Sequence, residues 1–281
     1  MLRLLSLAAA FLTSLTAHHP APHATTPPRP AVHPRVVRTA PHAVSAPARP
    51  VLGGDVSWPN CPTSMGIPGR HGYALPMPVP TAHYVVLGAT NGPAFTHNPC
   101  LALQARWARA HHLPMAAYAV IHYPTPYELR RYGGRGTLGT RLRRVGATEA
   151  RAALATLKRA HVPIPVVWVD VETVGGHPWS HNIKANRAVL GGVLTQYRRS
   201  HVRSGIYSYK YAWVHVMGGL RLRSYATWVP SGGTTRAAAL KKCGKGSFSG
   251  GRVFLTQWTV GRRDYDITCP GVRTTGLFRK A

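Results

Sequence analysis

Acidic residues are almost missing from this chain: 281 residues carry 7 Asp and Glu against 35 Lys and Arg, for a formal net charge of +28. Such a surface cannot be laced with carboxylate–ammonium pairs, and it makes polyanions the natural partners: nucleic acid, anionic lipid or acidic wall polymers. Long apolar runs are also lacking, since no segment beyond the N-terminus is long and apolar enough to cross a membrane. There is no C-x-x-C pair, no H-E-x-x-H and no H-x-H beside a carboxylate, so the 16 His and 4 Cys carry no metal signature. No G-x-G-x-x-G follows the first strand, which argues against a dinucleotide site. Neither metal nor cofactor is expected. No nucleic-acid motif of fixed geometry is present either, so no specific nucleic-acid partner is expected.

What is there begins with "MLRLLSLAAAFLTSLTA", which has one early Arg, a short apolar run and a small residue at Ala17. This pattern predicts a signal peptide over residues 1–17 and a secreted or cell-wall associated protein, with no transmembrane segment in the mature chain. An uncleaved anchor is the rival, but the run is short against the ~20 residues a span needs. Residues 18–50 are rich in Pro, His and Arg and contain no acidic or aromatic residue, so they predict a disordered basic linker. Residues 51–281 remain for one folded domain.

Cys61, Cys100, Cys243 and Cys269 are an even number in an apparently exported chain and predict two disulfides. Three connectivities are open. Cys61 with Cys100 and Cys243 with Cys269 is favoured, because each pair joins loops near in the chain.

Eight apolar runs follow: "VLGGDVS", "HYVVLGAT", "PMAAYAVI", "IPVVWVDV", "SGIYS", "YATWVP", "RVFLTQW" and "YDITC". Three helix-like stretches, "NPCLALQARWARAHH", "ATEARAALATLKRAH" and "HNIKANRAVLGGVLTQYRRSH", come between some of them. Continuous apolar strands taking turns with helices indicate an α/β fold with a parallel sheet covered on its outer face. About eight such strands predict a closed, TIM-like β/α barrel. An open doubly wound sheet is the runner-up.

Five of the seven carboxylates fall in three short places: Asp55 in "GGDVSW", Asp170 and Glu172 in "VDVET", Asp264 and Asp266 in "RRDYDITC". Each place is at or near the end of a predicted strand, where barrel enzymes carry their chemistry. Strand alternation turns Asp170 and Glu172 to one side and Val171 to the other. Two inward carboxylates close together cannot both ionise freely; one becomes a proton donor beside a partner that stays charged. That pairing suits glycosidic bond cleavage. The alternative is that the carboxylates pair with arginines as buried salt bridges. Glu128 and Glu149 lie elsewhere and are expected in polar helix or loop surroundings, with Glu149 on an outer helix.

The same stretches resemble family 25 of the glycoside hydrolases, the secreted lysozymes (N-acetylmuramidases). "GGDVSWPN" is similar to that family's G-x-D-v-S-x-W, "YVVLGATNG" to K-A-T-E-G, "MAAYAVIHY" to G-a-Y-h-f and "VVWVDVET" to l-D-v-E. "GIYSY", "TWVP", "LTQWT" and "DYDIT" match its later i-Y-t, W-i-A, W-Q-Y-t and v-D-l-n. The order holds from about residue 52 to 270. The resemblance implies an irregular barrel with outer helices sparse in its last third. It implies a peptidoglycan hydrolase that cleaves the β-1,4 bond between N-acetylmuramic acid and N-acetylglucosamine, with peptidoglycan and anionic wall polymers as partners. Glu172 matches the proton donor. Asp170 matches its partner, either a nucleophile or the group that orients the substrate's acetamido. Asp55 and Asp266 match flanking aspartates, and Tyr118 and Tyr207 site-lining tyrosines. The chain departs from the pattern at Gly88 and Asn91, which replace the Lys and Glu of K-A-T-E-G. It departs again at Thr256 and Trp258, which replace the outer residues of W-Q-Y. A catalytically silent glycan-binding module of the same fold is therefore the alternative.

Among the tryptophans, Trp58 and Trp258 sit at strand ends and are candidates to line a sugar site with Asn91, whereas Trp168 lies deeper and is expected in the core. His111, His112 and His122 are expected at the surface or behind the site. The basic, Gly-rich "KKCGKG" and "RRYGGRG" read as solvated loops that face an acidic wall polymer.

Overall fold

Each of the eight apolar runs folds as a strand of one closed barrel. A computed structural model describes residues 48–173 and 177–280; the expected signal peptide, and the expected linker up to residue 47, lie outside the described residues. The strands are β1 (Leu52–Val56), β4 (Val85–Gly88), β5 (Met115–Val120), β6 (Val166–Asp170), β7 (Arg203–Tyr207), β8 (Ala226–Pro230), β9 (Val253–Val260) and β10 (Arg263–Thr268). They close in the order β1-β10-β9-β8-β7-β6-β5-β4, while β2 (Gly66–Ile67) and β3 (Arg70–His71) form a separate small hairpin.

The sheet is not wholly parallel, as the apolar runs alone had suggested. β10 runs antiparallel to both β9 and β1. Only Gly261 and Arg262 separate β9 from β10. A two-residue connection can make a hairpin, but a parallel crossover needs a dozen or more residues.

Among the described residues six α-helices accompany the barrel: α1 (Leu101–Ala110), α2 (Pro126–Tyr132), α3 (Leu138–Arg159), α4 (Ile183–Arg199), α5 (Lys210–Met217) and α6 (Arg236–Cys243). The three helix-like stretches are α1, α3 and α4, although α3 starts nine residues before the stretch that signalled it. α5 and α6 are only 8 residues each and no helix separates β9 from β10, which gives the expected thin outer layer in the last third. α2 is too short to show periodicity. It is fixed instead by a capping box, in which the Thr125 hydroxyl accepts from the Glu128 amide (3.2 Å) and Glu128 accepts from the Thr125 amide (2.7 Å).

Strand alternation sorts the core into two layers. Outward residues such as Val167, Val169 and Val171 pack with Leu142, Leu157, Val189 and Val193 of the helices. Inward residues, including Tyr84, Val86, Trp168, Trp228 and Leu255, fill the barrel. Disulfides join Cys61 to Cys100 and Cys243 to Cys269, the favoured pairing.

Candidate active site

The barrel interior is plugged with aromatic rings. Trp168 meets Trp228 edge-on at 6.0 Å, and above them Tyr207 and Tyr118 stand 4.6 and 5.9 Å from Trp228. The plug leaves a cleft of about 460 Å³ at the C-terminal ends of the parallel strands. Alternation explains its walls. In β6, Trp168 and Asp170 face in, and Glu172 follows on the same side just past the strand, so both carboxylates line the cleft while Val171 packs outside. Asp55 from β1, Gln257 from β9 and Asp264 from β10 complete the polar wall.

The carboxylates are held in different ways. Gln257 Nε2 donates to Asp55 Oδ2 (2.8 Å), and Tyr207 donates its hydroxyl proton to Gln257 Oε1 (2.8 Å). Trp228 Nε1 donates to Asp266 Oδ1 (2.8 Å), and Thr259 donates to Asp264 Oδ1 (2.6 Å). Asp170 Oδ1 is buried without a hydrogen-bond partner, and Asp266 lies against the Asp55 carboxyl, with which it shares a hydrogen bond when Asp266 holds the proton. The Glu172 backbone carbonyl accepts from Trp179 Nε1 (2.9 Å), which pins the start of the loop after β6.

Burial raises all five carboxyls, and neighbouring carboxylate charges add to it for Asp55, Asp170 and Asp266. Burial pushes Asp55 up to about 8, with the charge on Asp264 adding to it and the Gln257 bond opposing. Asp170 is raised well above the ordinary range by burial first, then by the charges of Glu172 and Asp55. Glu172, half-buried at the cleft wall, is raised by burial. Burial also raises Asp264, and burial with the charge on Asp55 raises Asp266. Arg70 is the one Lys or Arg among the described residues that line the cleft. The site is therefore a proton-holding acidic pocket in a strongly basic protein.

The structure brings together most, but not all, of the residues singled out by sequence. Asp55, Asp170, Glu172, Tyr118, Tyr207 and Trp58 line the cleft, with Trp58 in a short turn beside Tyr73 (5.4 Å). Asp266 is fully buried and does not reach the cleft surface. Trp258 lies on the other face of β9, stacked on Tyr265 at 5.2 Å over α6. Asn91 is fully buried, its side chain donating to the Arg70 carbonyl (3.3 Å), and it is Gly92 that lines the cleft. Gln257 and Arg70 belong to the wall but were not singled out from sequence, whereas Asp264 and Trp228, in the quoted "RRDYDITC" and "TWVP", were noticed without being given a site role. Alternation from the inward Leu255 would have turned Gln257 inward and Trp258 outward. Gly88, at the position of the family's Lys, has no space for a side chain: a Cβ would lie 2.4 Å from Ser57 and 2.8 Å from the Tyr118 ring.

A second acidic cluster was read wrongly from sequence. His122 and Glu149 are buried together, with His122 Nδ1 3.9 Å from Glu149 Oε1. His122 Nδ1 accepts from the Ala94 amide (3.1 Å), so Nε2 carries the proton and donates to Glu128 Oε2 (3.0 Å). Burial pushes Glu128 up, but the bonds from His122 and Thr125 outweigh it and hold it below the ordinary range. Neither Glu149 oxygen has a hydrogen bond of good geometry, and its carboxyl is raised well above normal by burial, then by the charge of Glu128, with the His122 backbone opposing. It belongs to the face of α3 turned to the core, not to solvent. Among the described residues, no group of three or more His, Cys, Asp or Glu is placed to hold a metal ion.

Fold and site define a class of architecture, a closed β/α barrel with a carboxylate-lined cleft at the strand C-termini. Part of the chain is similar to a lysozyme-like family. The family model described as "Lysozyme-like protein 1" matches residues 140–230, which include β6 with its carboxylates. Among solved structures, a muramidase from Acremonium alcalophilum is 14% identical, with 77% of this chain and 92% of that one covered at a TM-score of 0.50. The spore cortex lytic enzyme SleM of Clostridium perfringens is 11% identical, with 78% and 67% covered at 0.51. The modular autolysin LytC of Streptococcus pneumoniae, solved with a synthetic peptidoglycan ligand, is also 11% identical, with 78% and 46% covered at 0.51. No curated protein matches the chain. At these identities the likeness establishes the fold, and the fold is the one that the resemblance to family 25 implied.

Proposed function

We propose that this protein is a secreted N-acetylmuramidase that hydrolyses the β-1,4 bond between N-acetylmuramic acid and N-acetylglucosamine in peptidoglycan. The observation that carries the reading is the Asp170–Glu172 pair at the end of β6, two carboxyls of different burial at the wall of one cleft, both raised above the ordinary range. Such a pair titrates as a unit, and the state with one proton between the two carboxyls is the one that chemistry needs. Glu172, the more exposed member, delivers that proton to the glycosidic oxygen as the bond to the sugar breaks. In the free protein deeper burial and the charge of Glu172 favour the shared proton on Asp170, so the reaction requires it to pass to Glu172 once a sugar occupies the cleft. Asp170, then ionised, faces the positive charge that develops on the sugar, either as nucleophile or by orienting the acetamido group for attack. Water then adds to the sugar and its proton returns to Glu172. Asp55, held by Gln257, keeps a further charge or proton at the pair's side. The tyrosines and Trp228 supply flat faces for the pyranose rings, and the oxidised cysteines suit an extracellular setting.

Digestion of purified peptidoglycan tests the reading through the identity of the new reducing end. The account expects muramic acid at the reducing end; glucosamine there would overturn the bond assignment, and binding with no new reducing ends on any peptidoglycan would favour a silent glycan-binding module.

A further inference from the structure

A second concave site lies over the barrel rim from the cleft. β7 and β8 place Tyr207 and Trp228 in the cleft; a step further along, Tyr209, Lys210, Val229 and Pro230 line a separate groove of about 530 Å³. Its other wall comes from the end of α6 and the loops after α5 and α6, with Lys242 on the helix and Arg221, Lys245 and Phe248 on the loops. Three of the chain's seven lysines thus converge here with one arginine. None of the seven carboxylates lines the groove. Five belong to the cleft cluster and two face His122.

The walls are held in place. The Cys243–Cys269 disulfide ties the end of α6 to the end of β10, so that Lys242 and Lys245 flank a covalent anchor. The following loop is pinned by the Leu222 amide on the Ser249 carbonyl (2.8 Å) and by the Ser247 hydroxyl on the Gly251 carbonyl (2.6 Å). Four cations along one groove with no carboxylate among its lining residues give it a positive potential that attracts an anion.

We propose that this groove binds a phosphate-bearing anionic polymer attached to the cell-wall glycan, and so holds the cleft against its substrate. Three of the four cations are ammonium groups, point charges that accept a tetrahedral phosphate from many directions; the planar fork that reads nucleobase edges is available only once, from Arg221. The groove shares β7 and β8 with the cleft, so a polymer held in it lies beside whatever glycan the cleft takes. This inference extends the wall-directed reading, but its test reads binding and not hydrolysis, so the two can fail separately.

The test is co-sedimentation with intact cell walls and with the same walls stripped of phosphate polymer by acid, at one ionic strength. All proteins carry Glu172→Gln so that hydrolysis cannot alter the wall. Lys242→Gln with Lys245→Gln removes two groove charges, and Lys158→Gln with Lys184→Gln removes two exposed charges elsewhere. Binding of the groove variant to intact walls should weaken on the order of tenfold. The control should bind as the parent does, and all three should bind stripped walls equally. Equal losses in groove and control variants would reduce the effect to bulk charge and overturn the proposal. So would undiminished binding of the parent to stripped walls. Competition by duplex DNA at lower charge concentration than the soluble wall polymer would assign the groove to nucleic acid instead.

Discussion

At the scale of single residues, Glu149 is the sharpest case. It is buried on α3 with neither oxygen in a hydrogen bond of good geometry, and burial holds its carboxyl well above 4.5. The sign of its contribution follows from linkage. A carboxyl whose folded pKa is raised lends stability that is fully present below its unfolded value near 4.5 and is lost as pH rises through the folded value. Glu149→Gln keeps the shape and removes the ionisation. Thermal melts across pH should show the variant matching wild type near pH 4 and becoming the more stable protein towards alkaline pH. Parallel curves at all pH values would mean that Glu149 is solvated after all. The paired carboxylates of the cleft were legible because alternation at the end of an apolar strand turns Asp170 and Glu172 to one side. Glu149 was misread: it follows Leu142, Val145 and Gly146 at helical spacing in the buried stripe of α3, but that stripe starts before the stretch taken as helical. Asn91 and Asp266 lie in matched motifs, but depth beneath a surface leaves no trace in a single sequence.

At the scale of elements, continuous apolar runs marked all eight barrel strands, and period 3.6 marked the three long helices. Periodicity could not mark α2, α5 and α6, which make two turns or so, and it does not report strand direction; the two-residue link before β10 does. Packing between α3 and α4 rests on glycines that the sequence leaves unexplained. A Cβ on Gly192 would lie 2.1 Å from the Arg143 carbonyl oxygen, and one on Gly146 would lie 2.1 Å from that of Val189. The two helix backbones touch there, so Gly192→Ala must push them apart, at a cost of about 1–3 kcal/mol for an overpacked core. Its neighbour Gly191 faces open space, and Gly191→Ala should stabilise by up to about 1 kcal/mol through helix propensity alone. Denaturant melts of the two variants should therefore move in opposite directions. A harmless Gly192→Ala would mean that the crossing is looser than described.

At the scale of the whole molecule, charge is segregated. Five carboxylates gather in and beneath the cleft and two around His122, and among the described residues Arg70 alone of the lysines and arginines lines that cleft. An excess of cations steers the protein to a polyanion, while burial lets the acidic pocket retain protons. The sequence supports the division because so few carboxylates were available to misassign; the groove beyond β7 and β8 could not be read from it, because Lys210, Arg221 and Lys242 meet only in the fold.

The central claim is that Glu172 delivers the proton that breaks the glycan. Its most direct test compares wild type with Glu172→Gln for release of reducing ends from one peptidoglycan preparation, with binding to that preparation measured alongside. The account predicts unchanged binding and a loss of about 10²- to 10⁴-fold in rate, the usual contribution of a general acid. Equal rates for the two proteins would contradict it.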